Sequence, residues 1–264
     1  MSRGGSAITR RFEERAREGR KALIPYLTAG YPDSSQSLAL LETIVRAGAD
    51  IVELGIPFSD PLADGPTIQR ASHDALAAGM TAEGALELVR AFRSGTDTPV
   101  VLFTYLNPLL AYGTERFLSD AEEAGADGLL LTDLPAGSDP VLEEMIQSGG
   151  LDLIRLVAPT TRPERVPVVV EGAQGFVYYI SRTGVTGARS ELRVAVEEEV
   201  GALRLATDLP VAVGFGISTP DQAAQVARVA DGVVVGSALI DAIDEGGAEV
   251  AGSFLAGLRE GMDR

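Results

Sequence analysis

"AGADIVELGIPFSDPLADGP", residues 47–66, runs from a helix-closing turn through an apolar stretch into a stiff acidic loop. Gly48 suits the left-handed turn that ends a helix, and Asp50 leads into a strand of the fully buried parallel kind. One carboxylate, Glu53, interrupts the apolar run "IVELGI" (51–56). Successive strand side chains alternate faces, so Val52, Leu54 and Ile56 share one side, suited to packing under helices. Ile51, Glu53 and Gly55 take the other side and would point into a barrel. The phrase "AGAD" returns at 124–127 and, shortened to "VAD", at 229–231, each time ahead of another β-rich run.

Eight such runs occur: "ALIPYLT" (22–28), "DIVELGI" (50–56), "PVVLFTY" (99–105), "DGLLLTD" (127–133), "DLIRLVA" (152–158), "GFVYYIS" (175–181), "LPVAVGFG" (209–216) and "DGVVVGSA" (231–238). Segments between them, such as 35–48 and 115–125, carry apolar residues at the three- and four-residue spacing of amphipathic helices. Eight strand–helix units in 264 residues, without a linker or composition break, predict one domain. It is a (β/α)8 barrel over 1–264 with a short charged N-terminal helix, a doubly wound open sheet being the alternative. Sites in such barrels lie at the C-terminal strand ends. The 42 residues between Ile56 and Pro99 make the second connection longer than most, and they begin with the acidic loop.

Composition narrows the chemistry. With 45% hydrophobic and 23% charged residues the chain reads as an ordinary globular protein. No apolar run nears the roughly 20 residues that span a bilayer, and residues 1–20 hold no apolar signal core, so a cytoplasmic location and no membrane partner are expected. The absence of cysteine excludes disulfides, thiolate metal sites and thiol catalysis. A net charge of −16 argues against nucleic acid. Lys21 is the only lysine and His73 the only histidine, the latter expected on the surface of the helix after the acidic loop. A Schiff-base aldolase needs a pocket lysine, yet Lys21 immediately precedes the first strand, at the opposite end of a barrel. A metal aldolase uses several histidines. Carboxylate chemistry remains, with no metal.

An unpaired carboxylate inside a barrel is costly and answers with a raised pKa, which is what a general acid or base requires. A structural glutamate paired with an arginine is the competing reading of Glu53. In the loop, Pro57, Pro61 and Pro66 fix φ and restrict their neighbours, so Asp60 or Asp64 can be held over a pocket at low entropic cost. Aspartate before glycine or proline is also ordinary turn chemistry.

Taken together, "VELGIPFSDPLADGPTIQ" (52–69) resembles the signature of the tryptophan synthase alpha chain family. The resemblance continues through "PYLTAGYP" (25–32), "SRTGVTGAR" (181–189), "VGFGIS" (213–218) and "GSALI" (236–240), in family order and spacing. It implies retro-aldol cleavage of indole-3-glycerol phosphate to indole and glyceraldehyde 3-phosphate. By resemblance Glu53 is the general acid/base, and Asp64 is the loop carboxylate at the indole N–H. Gly187, Gly216, Gly236 and Ser237 would bind phosphate, with Gly214 and Phe215 beside them. Thr186 would engage Asp64 from a lid over 181–189, where Arg182 is either an anchor or solvated. Tyr105 and Tyr178 would line the indole pocket or belong to the core. Leu23 departs from a common phenylalanine, which bears on the packing of that pocket. Asp60 and Pro61 would sit on the rim that docks a tryptophan synthase β chain in an α2β2 heterotetramer. No cofactor is implied for this chain, pyridoxal phosphate being expected only in the β chain. Three other readings are a stand-alone indole-3-glycerol phosphate lyase, a phosphate-binding barrel isomerase and a silent barrel that only activates a partner. The isomerase would want a histidine or lysine beside its carboxylate.

Overall fold

The computed structural model describes residues 5–180, 189–214 and 216–264, the side chains of 189–196 excepted. All eight runs form strands: β1 (Ala22–Thr28), β2 (Val52–Gly55), β3 (Val100–Thr104), β4 (Gly128–Leu131), β5 (Asp152–Val157), β6 (Val177–Ile180), β7 (Val211–Gly214) and β8 (Gly232–Val235). Each is parallel to its neighbours, and β8 pairs with β1 to close the barrel in sequence order. The helices are α1 (Ala7–Arg17), α2 (Ser34–Arg46), α3 (Pro66–Ala77), α4 (Ala82–Arg93), α5 (Leu106–Tyr112), α6 (Thr114–Ala124), α7 (Pro140–Ser148), α8 (Val166–Val170), α9 (Arg189–Arg204), α10 (Pro220–Ala227) and α11 (Ser237–Met262). The long second connection holds two of them, α3 and α4. Gly246 and Gly247 interrupt α11 with non-helical dihedrals. Among the described residues no helix is long and apolar enough to cross a membrane.

Strand alternation sorts the apolar residues into two cores. Leu23, Val52, Leu54, Val100 and Leu102 face the helices. Ala22, Ile24, Ile51, Val101, Leu130, Ile154, Ala212 and Val234 face the barrel axis, together with Phe176 just ahead of β6. The N-terminal helix does more than its charge pattern suggests. Its two buried residues, Ile8 (0% exposed) and Phe12 (5%), join the axial core and plug the N-terminal end. The Phe12 and Phe176 rings meet at 5.5 Å. Gly128 leaves the room Ile8 needs, since a Cβ there would lie 2.9 Å from its Cδ1. Burial of each such side chain stabilises the fold by roughly 1.5–3 kcal/mol.

The repeated turn phrase has a further task at the same end. Gly48 and Gly125 take φ +108° and +92°, the left-handed values that close α2 and α6. The aspartate that follows then accepts a backbone N–H at the start of the preceding strand. Asp50 takes that of Leu23 at 2.8 Å, Asp127 that of Val100 at 2.9 Å and Asp231 that of Val211 at 3.0 Å. Asp50 is also bound by Arg259, whose Nη1 lies 3.1 Å from Oδ2 and 2.9 Å from the Lys21 carbonyl. Burial outweighs its arginine neighbours and holds the Asp50 carboxyl above the usual range.

Asp50→Ala should therefore destabilise the chain by about 1–3 kcal/mol, because it leaves the buried Leu23 N–H without its acceptor and takes one of the two carboxylates, Asp50 and Asp263, that hold Arg259. Asp127→Ala, whose nearest arginine is 3.9 Å away, should cost clearly less. Urea unfolding of the two variants measures the difference; equal losses would reduce Asp50 to its backbone bond.

Candidate active site

At the C-terminal strand ends the axial core opens into a cavity of about 140 Å³. Tyr26, Glu53, Asp64, Phe103, Tyr178 and Gly236 border it, with Ile68, Thr132, Leu156, Ile180 and Val234 completing an apolar wall. The register explains the meeting of the first three strands: Tyr26 lies beside Glu53, which lies beside Val101, so all three point to the axis.

Glu53 is 1% exposed, and its Oε1 has no hydrogen-bond partner among the described residues. No arginine among the described residues pairs with that oxygen. Burial alone pushes its carboxyl up to about 8, so at neutral pH it carries a proton.

Asp64 comes from the proline-braced loop and is only partly exposed. The Tyr105 hydroxyl donates to Asp64 Oδ2 at 2.9 Å and accepts the Ala63 N–H at 3.0 Å. Burial raises the Asp64 carboxyl to about 6, and the bond from Tyr105 partly offsets the rise. The two carboxyl groups that border one cavity are thus held in different protonation states between about 6 and 8. A stored proton and a fixed negative charge face the same space.

The other expected contacts fall out unevenly. Tyr178 borders the cavity as expected. Tyr105 does not border it among the described residues; it caps α5 and stands behind Asp64, its ring 5.2 Å from that of Phe58. Gly214 makes room for a cavity side chain, because a Cβ there would lie 2.5 Å from the Tyr178 hydroxyl. Gly55 makes the same allowance for Tyr26. Gly236 borders the cavity and caps α11 without a side-chain bond, and exposed Ser237 opens that helix. Gly216 follows β7 with φ +69°, a conformation that favours glycine. Thr186, Gly187, Phe215 and Arg182 lie outside the described residues. Leu23 belongs to the helix-facing core and does not bear on the cavity. Tyr26, Phe103 and Leu156 are wall residues that sequence reasoning missed, although alternation along "ALIPYLT" puts Ala22, Ile24 and Tyr26 on one face.

On the rim Asp60 is exposed and Pro61 is buried, while Leu62 beside them is 90% exposed. His73 is a surface residue, its Nε2 3.1 Å from the Ser59 carbonyl oxygen. Lys21 does sit at the opposite end, where a larger cavity of about 520 Å³ opens beside α1. The cations there are already paired: Lys21 and Arg204 lie 3.5 and 2.9 Å from Asp231, and Arg20 lies 2.7 Å from Asp263. The smaller cavity, with its unpartnered carboxyl oxygen, is the one equipped for chemistry.

Known proteins match this arrangement over the whole chain. The family model described as tryptophan synthase alpha chain matches residues 12–256. The tryptophan synthase alpha chain of Phenylobacterium zucineum is 54% identical over 90% of this chain and 86% of its own. That of Geobacter sulfurreducens is 50% identical over 97% of this chain and 99% of its own. Among solved structures, tryptophan synthase subunit alpha from Legionella pneumophila superposes with a TM-score of 0.91 at 40% identity, covering 98% of this chain and 99% of that one. A chain of Mycobacterium tuberculosis tryptophan synthase does so with a TM-score of 0.90 at 41% identity, over 98% and 99%. A proton-bearing glutamate inside a parallel barrel thus coincides with identity along nearly its full length: the chain belongs to the tryptophan synthase alpha chain family, carbon–carbon lyases that cleave indole-3-glycerol phosphate to indole and glyceraldehyde 3-phosphate.

Proposed function

We propose that Glu53 moves the proton in this cleavage and that Asp64 balances the charge it creates. Protonated Glu53 gives its proton to indole C3, which leaves the ring as an iminium cation with its positive charge at nitrogen. The carboxylate of Asp64 lies near that charge and accepts the indole N–H. Glu53, now ionised, takes the proton from the hydroxyl on the adjacent side-chain carbon. The C–O bond becomes a carbonyl, the bond from C3 to that carbon breaks, and its electron pair restores the aromatic ring. One proton has passed from hydroxyl to C3, and Glu53 is again protonated. The observation that carries this assignment is the buried, unpartnered Oε1 of Glu53 on the cavity wall.

Tyr26, Phe103, Leu156 and Tyr178 supply the flat apolar surfaces that suit an indole ring. The phosphate is assigned to Gly216, in the connection after β7, and to Gly236 and Ser237, which present backbone at the start of α11, with Gly187 as a fourth member. A helix N-terminus receives an anion through N–H groups and its dipole, which suits a chain with a single lysine. The reaction so written uses no cofactor in this chain.

The same reading gives the chain a β-chain partner that holds pyridoxal phosphate and consumes the indole, in an α2β2 assembly in the cytoplasm. Leu62, Leu110 and Val141, 90%, 56% and 70% exposed, come from the segments after β2, β3 and β4. They lie on three consecutive strand-to-helix segments, the first of which carries Asp60, and exposed apolar side chains of this kind support docking there. Indole release measured with and without a β chain separates this reading from the stand-alone lyase, which would not respond.

The carboxyl pair sets the pH dependence. The kcat/KM of the isolated chain should be bell-shaped, falling below about 6 as Asp64 gains a proton and above about 8 as Glu53 loses one. Tyr105→Phe removes a bond that lowers the Asp64 pKa, so it should move the acid limb upward and leave the alkaline limb in place. A profile flat from pH 5 to 9 would contradict both assignments.

Glu53→Gln should retain the fold and abolish turnover, since the amide cannot exchange the proton. It should also gain stability at alkaline pH. The folded-state pKa of about 8 exceeds the ordinary 4.5, so the wild type loses stability as pH rises through that window. The variant does not, and the gap should vanish at pH 4 and reach a few kcal/mol by pH 8, since each tenfold difference in proton affinity is worth about 1.4 kcal/mol. Thermal unfolding at the two pH values reads it. Near-normal cleavage by folded Glu53→Gln would overturn the mechanism.

A further inference from the structure

Helix α3 holds the acidic loop by three side chains. Ser72 Oγ accepts the Phe58 N–H at 2.8 Å and donates to the Phe58 carbonyl at 3.0 Å. His73 reaches the Ser59 carbonyl. Gln69 Nε2 donates to the carbonyls of Asp64 at 2.9 Å and Pro61 at 3.3 Å. The loop that carries Asp64 therefore moves with α3.

The same helix is tied to the start of α11, whose cap, Gly236, borders the cavity. Arg70 Nη1 donates to the Tyr31 hydroxyl at 2.7 Å, and its Nη2 lies 2.5 Å from Asp244. The Tyr31 hydroxyl in turn donates to Asp244. One turn earlier, Thr67 Oγ1 lies 3.4 Å from Asp241. Tyr31 is 5% exposed and belongs to the connection after β1, so three separate segments converge on one guanidinium.

We infer that Arg70, with Tyr31 and Asp244, is a positioning device that fixes the distance between Asp64 and the phosphate-binding start of α11. The inference rests on the proposed roles of Asp64 and α11. Asp64 must meet the indole nitrogen while α11 holds the phosphate at the other end of the same molecule. Loop and helix must then be spaced to fit the substrate, and nothing in the loop alone sets that spacing. Arg70 and Asp244 are partly exposed, so their pairing adds little stability. Its consequence is geometric. The rigid planar fork of arginine can bind the hydroxyl and the carboxylate together, which lysine cannot reproduce.

The test is binding of 3-(indol-3-yl)propyl phosphate, an inert analogue that keeps ring and phosphate, beside glycerol 3-phosphate, which lacks the ring. Arg70→Ala should weaken the analogue about tenfold and leave glycerol 3-phosphate within twofold, with Tm nearly unchanged. In an Asp64→Asn background the same change should add less than twofold, because the carboxylate it positions is gone. Tyr31→Phe, which removes only the bridging hydroxyl, should act in the same direction and carries the test should Arg70→Ala fail to fold. Unchanged analogue affinity, an equal loss for both ligands, or full additivity with Asp64→Asn would overturn the inference. Wild-type affinity and turnover in Asp64→Asn alone would sink the reading of the site itself, and this inference with it.

Discussion

Every inward position of a closed parallel barrel must be filled, because its axis is dry and there is no edge to relieve a misfit. Here α1 fills the N-terminal end with Ile8 and Phe12, and aliphatic side chains fill the middle. Glu53 breaks that pattern at the other end. It occupies the layer where filling stops and the cavity begins, one strand from Tyr26 and one from Val101. A carboxyl in that place keeps its proton, and the proposed chemistry is built on that proton.

The two carboxyl groups differ because their surroundings differ. Glu53 has burial and, among the described residues, no hydrogen-bond partner for Oε1, while Asp64 has less burial and a donor in Tyr105. Burial also pushes the hydroxyls of Tyr26 and Tyr178 well above their ordinary range, with the nearby carboxylates adding to the shift. Those rings therefore stay neutral and act as surfaces. The proposed division of labour is acid on the strand, counter-charge on the loop and aromatic walls between them.

Much of this is legible in the amino-acid sequence, and what is not shares a physical cause. The eight apolar runs mark the eight strands, since buried parallel strands leave an unmistakable composition. Their ends read too long, because Tyr105, Gly236 and Ser237 have apolar neighbours yet begin helices. Glu53 and Asp64 border one cavity as the motif implies, but nothing local in "PVVLFTY" says that Tyr105 turns back to hold Asp64. That bond joins residues 41 apart, and only the closed barrel brings them together. Gly214 sits in a motif that the resemblance links to phosphate, and only the folded barrel shows that its lack of a Cβ makes room for the Tyr178 ring on the neighbouring strand. Tyr26 can be found by alternation alone, while Leu23, on the other face of the same strand, packs toward the helices.

The central claim is that Glu53 is protonated at neutral pH in the free chain. Carbon-13 NMR of chain labelled at the glutamate carboxyl carbon tests it most directly, the Glu53 resonance being the one missing from Glu53→Gln. The account predicts a titration midpoint near 8, well above the ordinary 4.5. A midpoint near 4.5 would mean that an ionised glutamate rests in the barrel, and would contradict the proposed proton donor.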